Sequence, residues 1–323
     1  MQTAEHQHTV ELFGTRVRLL VNAAIPPPLS AHVSVAHVEA RLREIHNALT
    51  RFDPESELSR LNQRAGEAVR VSPTLLAGIT AAVRAAELSH GLVDPTILPE
   101  LERAGYNTSR AGIAAAPLLD ALTVTPAQRP ARPRAEAAWR RIEICARERI
   151  VRLPHDVRID LGGTGKGMAV DQAAQLLAGA PAFAVDAGGD IRIGGAHGLP
   201  RAVEIEHPLD DRATQRLVIT TGAVATSGLR TRIWRTSSGY AHHLIDPATG
   251  EPAWTGVIQA TALAPTALEA ETLAKTALLT GPLAGRTSLE RYGGALILDS
   301  GEAITVSPLR DRQAVEQRDR VTA

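Results

Sequence analysis

The segment Arg158-Ile-Asp-Leu-Gly-Gly-Thr-Gly-Lys-Gly-Met-Ala-Val-Asp171 constrains this chain more than any other. Ile159 and Leu161 flank polar Asp160, as a strand would. Glycines at 162, 163, 165 and 167 follow. Met168, Val170, Ala173, Ala174, Leu176 and Leu177 then recur with helical spacing. Strand, glycine turn and helix make a natural place to hold a phosphate, because backbone N–H groups point outward and the helix N-terminus adds partial positive charge. Lys166 at the helix start would add a full charge. A turn built only for tight packing fits the same residues equally well.

Two known phosphate loops do not fit. A P-loop needs a Gly separated by four residues from the Gly-Lys pair and Ser or Thr after the Lys; here Gly167 follows Lys166. A dinucleotide fingerprint needs G-x-G-x-x-G, and Gly163, Gly165 and Gly167 are spaced otherwise.

The chain has 323 residues, 44% of them hydrophobic, enough for one large or two modest domains. Its 35 basic and 35 acidic residues cancel, which argues against nucleic acid as the main partner. Aromatics are only 3%, so the core must come from Leu, Val, Ile and Ala. Cys145 is the sole cysteine, which excludes an internal disulfide and a cysteine-based zinc site. It lies in a strand-like run and reads as structural. Met1 to Thr9 carries no apolar stretch of a secretion signal. No run reaches 18 apolar residues, so no membrane insertion is expected, and the cytoplasm is the simplest location.

Along the chain, residues 9–22 read as one first strand, Val10 to Val21. A helix is predicted over 31–50 from Val35, Val38, Leu42, Ile45 and Leu49. Another runs from Pro73 to about Ser89, ended by Gly91. Residues 140–160 look like paired strands, followed by a helix at about 167–178. Strands are expected at 182–195, 201–207 and 215–220. A helix follows from Ala262 or Pro265 to Leu279, ended by Gly281, and a hairpin closes the chain at 295–306. This irregular mixture favours α+β over a doubly wound sheet. The expected division is an irregular N-terminus at 1–8, one compact unit over 9–307 and a charged tail at 308–323.

Four further segments join the glycine turn: Arg51-Phe-Asp-Pro-Glu-Ser-Glu-Leu-Ser-Arg-Leu-Asn62, Gly91-Leu-Val-Asp-Pro-Thr96, Val185-Asp-Ala-Gly-Gly-Asp-Ile-Arg-Ile-Gly-Gly195, and the pair Ala223-Val-Ala-Thr-Ser-Gly228 and His242-His-Leu-Ile-Asp-Pro-Ala-Thr-Gly250. Each is weak alone. Their order and spacing over roughly residues 10 to 300 resemble the FAD:protein FMN transferases of the ApbE type. That resemblance implies mixed, largely antiparallel sheets with packed helices. It also implies an activity: FAD is split at its pyrophosphate, FMN passes to a Ser or Thr of an acceptor flavoprotein, and AMP is released.

The resemblance implies roles residue by residue. Phe52 would lie by the flavin. Leu92, Val93 and Asp94 would contact the cofactor, as would Asp160, Lys166, Thr226, Ser227 and His243. The carbonyl of Gly163 would help hold Mg²⁺. Asp186 to Asp190 reads as a structural turn, and His242 as a surface residue. Asp246 and Thr249 complete a His-x-x-Asp-Pro-x-Thr-Gly element, which a turn capped by Asp246 explains equally well.

The chain departs from the family at its metal-site helix, whose Asp and Thr ligate Mg²⁺. Here Glu271 takes the Asp place and Lys275 the Thr place. Glu271, Lys275 and His243 are therefore the candidate catalytic residues, with Gly163 and Glu271 as candidate metal ligands. Several readings stay open: Lys275 stands where the metal would, Thr276 supplies the oxygen after a one-residue shift, or Glu271 and Lys275 are a surface i, i+4 pair. Transferase, FAD-binding protein without turnover, and FAD pyrophosphatase are the competing functions.

Overall fold

The computed structural model describes residues 3–24 and 29–309. The chain opens with a hairpin, β1 (Thr3–Leu12) and β2 (Thr15–Ala24). The expected single strand is thus two. Phe13 and Gly14, with φ of 56° and 68°, form the two-residue turn between them. Residues 3–8, expected to be irregular, continue that ladder, Thr3 pairing with Ala24. Next come α1 (Leu29–Leu49), α2 (Glu57–Gln63), β3 (Ala68–Arg70), α3 (Pro73–Leu88), α4 (Leu98–Arg103) and α5 (Leu118–Leu122). β4 (Glu143–Cys145) and β5 (Ile150–Arg152) precede α6 (Gly165–Leu176). Six strands follow: β6 (Ala182–Ala187), β7 (Asp190–Gly194), β8 (Arg201–His207), β9 (Asp210–Ile219), β10 (Gly222–Gly228) and β11 (Ile233–Thr236). The chain ends with β12 (Gly239–His242), β13 (Val257–Ala264), α7 (Ala267–Leu289), β14 (Gly294–Leu298) and β15 (Ala303–Val306). Most of the expected tail, residues 310–323, lies outside the described residues.

Eight strands form one sheet in the order β1-β2-β6-β7-β10-β13-β14-β15. Every neighbouring pair is antiparallel. Alternation decides the two faces. Val17, Leu19 and Val21 of β2 pair with Ala187, Val185 and Phe183 of β6. This set packs under α1, with Val38, Leu42 and Ile45 fully buried against it. The intervening residues, Leu20, Ala184, Ile193 and Val224, meet the β8–β9 hairpin through Val203 and Leu217.

Helix boundaries follow from local chemistry. Ser72 caps α3, accepting from Leu75 N–H at 3.0 Å, and Pro73 takes a first-turn place where its missing N–H costs nothing. α7 buries Ala267, Ala270, Ala274 and Ala277 on one stripe, all without exposure. Small side chains let it lie close to β10 and β13. Its first turn is held by Asp171, whose two oxygens accept from Ala267 N–H at 2.8 Å and Leu268 N–H at 3.0 Å.

The first segment of α7 ends at Gly281, as expected, but a second segment that was not expected follows it. Gly281 takes φ 79°, breaking the helix, and Pro282 starts a second segment to Leu289. Carbonyls freed at the break find other donors. Thr255 Oγ1 donates to Leu278 O at 2.6 Å, and Ala131 N–H donates to Leu279 O at 2.8 Å.

Residues 158–161 form no strand. Their polar groups are met elsewhere: Asn62 accepts from Ile159 N–H at 2.8 Å and donates to Ile159 O at 2.9 Å, while Asp160 N–H donates to Pro95 O at 2.8 Å. A buried asparagine replaces the ladder partner.

Candidate functional site

A cavity of about 660 Å³ opens where the first turns of α6 and α7 approach the end of β10. Its wall contains Phe52, Leu92, Val93, Asp94, Asp160, Gly163, Lys166, Thr226, Ser227, His243, Glu271 and Lys275. The chain thus brings the residues named as candidate catalytic, cofactor and metal positions to one cavity, while Asp246 and Thr249 of the same motifs lie outside its wall. The wall residues come from the loops after α1 and α3, the approach to α6 and its first turn, strand β10, the loop after β12 and helix α7.

The glycine turn does less for an anion than its sequence suggests. Gly162 N–H donates to Asp160 Oδ1, Gly165 N–H to Leu161 O and Gly167 N–H to Glu271 Oε2. Those amides are spent inside the protein. Gly167 is glycine for packing: a Cβ there would stand 2.8 Å from both Ala267 O and Glu271 Oε2. Gly163 differs, since a Cβ there would meet only Lys275 Cε, at 3.8 Å.

Full charges dominate this wall instead. Glu271 has no exposure, and its Oε1 accepts from Lys275 Nζ at 2.9 Å, with Lys166 Nζ 3.5 Å away. Lys166 also pairs with Asp190, which is 1% exposed and lies behind it. Burial pushes the Glu271 carboxyl up, but the two ammonium groups outweigh it and hold it below the usual range. Burial and the Glu271 charge together raise Asp190, against the pull of Lys166. Burial lowers Lys166, yet Asp190 and Glu271 prevail and raise it. Glu271 and Lys275 are not a surface pair. Thr276 does not substitute for Lys275: it is not part of the cavity wall, and its hydroxyl turns back to donate to Thr272 O at 2.8 Å.

This donor set does not fit Mg²⁺. A divalent ion needs several oxygens free to face it. Both Glu271 oxygens are engaged, one by a backbone amide and one by ammonium. Among the described residues, no group of three His, Cys, Asp or Glu side chains gathers in a way that could hold a metal ion.

The opposite rim is aromatic and cationic. The Arg51 guanidinium lies 4.3 Å over the Phe52 ring and 4.8 Å over Tyr106. It is fixed by Asp160 Oδ2 at 2.7 Å and Tyr106 O at 2.6 Å. Phe52 is 37% exposed, so it offers an open ring edge. Asp94 is buried; Oδ1 accepts from both the N–H and the hydroxyl of Thr96, at 2.8 and 2.6 Å, while Oδ2 has no partner. Burial raises its carboxyl despite the Thr96 bonds. Thr226 is set by its hydroxyl contact with Thr261 at 2.9 Å and by its N–H donating to Gly189 O at 3.1 Å.

His243 is held well below its ordinary value, first by burial, then by Arg232, His242 and Lys275. Its imidazole is neutral near pH 7. Nδ1 lies 3.4 Å from Arg232 O, which favours the proton there and leaves Nε2 as acceptor. Asp246 tethers the loop behind it, accepting from Arg132 N–H, Ala248 N–H and Thr249 Oγ1. That is the capped turn foreseen as one explanation of the motif.

His242, expected at the surface, has no exposure and packs on Trp254. It occupies β12, where Ile233 pairs opposite, and strand alternation turns it to the core side. Asp190, Arg51 and Tyr106 were not foreseen as site residues. A signal for Asp190 existed: acids at 186 and 190 flank two positive-φ glycines. Asp186 takes the outer place, pairing with Arg18 at 2.7 Å, and Asp190 turns inward.

The ApbE family model matches residues 13–298. The chain belongs to this family. It is 27% identical over 279 residues to an FAD:protein FMN transferase of Klebsiella pneumoniae, covering 83% of this chain and 77% of that protein. A Vibrio cholerae protein of the same description is 29% identical over 273 residues, covering 78% and 75%. The crystal structure of the ApbE protein from Thermotoga maritima superposes with a TM-score of 0.78 at 25% identity, over 96% of this chain and 99% of that one. The α+β fold is therefore that of the family, and the homologues support flavin transfer in general. No helix among the described residues is long and apolar enough to cross a membrane.

Proposed function

We propose that this protein binds FAD in the cavity and transfers its FMN half to a Ser or Thr hydroxyl of an acceptor protein, releasing AMP. One observation carries the reading: a neutral imidazole, His243, and two ammonium groups, Lys166 and Lys275, share a wall of a cavity of dinucleotide size. Phosphoryl transfer needs those parts, a base for the incoming hydroxyl and fixed positive charge for the phosphates.

The acceptor oxygen bonds to the phosphorus of the FMN half. The bond from that phosphorus to the bridging oxygen breaks, and AMP leaves with the bridge oxygen. The hydroxyl proton goes to His243 Nε2. Lys275 and Lys166 offset charge on the phosphate oxygens. Phe52, Leu92 and Val93 offer apolar surface to the rings, and Asp94 Oδ2 accepts from a ring N–H. Thr226 and Ser227 line the same wall from β10.

The test is incubation with FAD and a protein domain bearing an exposed Ser/Thr target, read by mass spectrometry and by AMP release. AMP with a covalent FMN adduct is expected. AMP with equal free FMN identifies hydrolysis instead. Intact FAD, with and without Mg²⁺, defeats both. His243→Ala should slow transfer by roughly 10²- to 10⁴-fold while FAD still binds.

A further inference from the structure

We propose that the Lys275 ammonium is the built-in cation of this cavity, so that FAD is held and its pyrophosphate neutralised without a divalent metal ion. The proposal rests on the FAD reading above and deepens it.

Lys275 is placed for this by three independent features. It shares a helix face with Glu271 one turn away, and its side chain is 12% exposed on the cavity wall. Glu271 cannot turn aside to free a metal position, because Gly167 N–H anchors Oε2 at 2.9 Å. That anchor exists only because Gly167 has no Cβ. Lys166 closes the other side, 3.5 Å from Oε1 and paired with Asp190.

Two lysines and two carboxylates thus hold one another in place before any ligand arrives. An ammonium has three donors. Lys275 uses one on Glu271 and keeps the others for phosphate oxygens. A divalent ion at Oε1 would face both ammonium groups at close range, and its double charge doubles the repulsion. Gly163 leaves the approach to Lys275 clear, its Cβ position 3.8 Å from Cε.

Metal binding and FAD binding are tested apart from turnover. Mn²⁺ serves as the metal probe, read by electron paramagnetic resonance with and without FAD. The parent should bind no Mn²⁺ tightly and should bind FAD equally in EDTA and in Mg²⁺. Lys275→Met should lose FAD affinity by roughly 10- to 100-fold in EDTA, the worth of a charge-assisted hydrogen bond. Lys275→Arg should keep most of it, which separates lost charge from lost folding. The pair Glu271→Asp with Lys275→Thr should gain Mn²⁺ binding. Tight Mn²⁺ binding by the parent, FAD binding that needs Mg²⁺, or unchanged affinity in Lys275→Met each overturns the proposal, as does failure to bind FAD at all. Metal-free FAD binding that depends on Lys275, with no AMP released, upholds it and defeats only the transfer reading.

Discussion

The His242 imidazole stands edge-on to the Trp254 indole, with ring centroids 4.6 Å apart and planes at 81°. Its Nδ1 accepts from Leu244 N–H at 3.3 Å, and Nε2 has no partner. Burial pushes its pKa down to about 3, from an ordinary 6.5. The folded state therefore keeps it neutral while the unfolded chain protonates it below about 6.5. Stability from this group is complete above that pH and falls between 6.5 and 3, by about 1.4 kcal/mol per unit. Chemical denaturation at pH 7.5 and 5.0 should show the parent losing about 2 kcal/mol more than His242→Gln. Equal losses would mean that His242 is solvated.

Lys166 and Asp190 should behave as one unit. Lys166→Ala leaves Asp190 buried without its cation, and Asp190→Asn leaves Lys166 leaning on Glu271 alone. Each should destabilise by about 3 kcal/mol or more. A double-mutant cycle by denaturation should give a coupling of about 1–3 kcal/mol. Additive losses would show that the pair does not interact in solution.

Gly167→Ala and Gly163→Ala should separate cleanly. The first forces a methyl onto Ala267 O and Glu271 Oε2. It should cost about 1–3 kcal/mol and displace Glu271. The second meets only the flexible end of Lys275 and should melt near the parent temperature. Scanning calorimetry decides, and the opposite order would refute the close α6–α7 approach.

Asp94→Asn keeps the acceptor that Thr96 needs at Oδ1 but can turn the open Oδ2 position into a donor. If that oxygen accepts from a ring N–H, FAD affinity should fall by about tenfold with the melting temperature held. Fluorescence titration of FAD is the measurement, and unchanged affinity would remove Asp94 from the ring contact.

The helices were legible where one face is apolar, as in α1, and where in addition the cap is local, as in α3. The site was legible because glycines, Asp94 and His243 sit in short motifs whose spacing survives in the sequence. Two kinds of feature were hidden. Residues 158–161 alternate like a strand, but a side chain from far along the chain, Asn62, satisfies their backbone. Lys166 was visible as a charge, but not its long-range neighbours Asp190 and Glu271, which fix where that charge sits. A sequence shows that a charge is present, and only the fold shows which opposite charge has claimed it. The first hairpin was missed for a simpler reason: Phe13 is an unusual residue for a left-handed turn position.

The interruption at Gly281 has a bearing on accuracy. Asp171 grips the first segment of α7 at its start, while Thr255 and Ala131 grip it at its finish. A rod clamped at both ends can neither slide nor spin. A continuous helix would pass any strain from β14 along its length, and a slip of one residue would swing Glu271 and Lys275 through about 100°. The joint isolates them. It makes the first segment a short indexed shaft, and the angle at which its two charges meet the cavity is set by the clamps rather than by the far end of the protein.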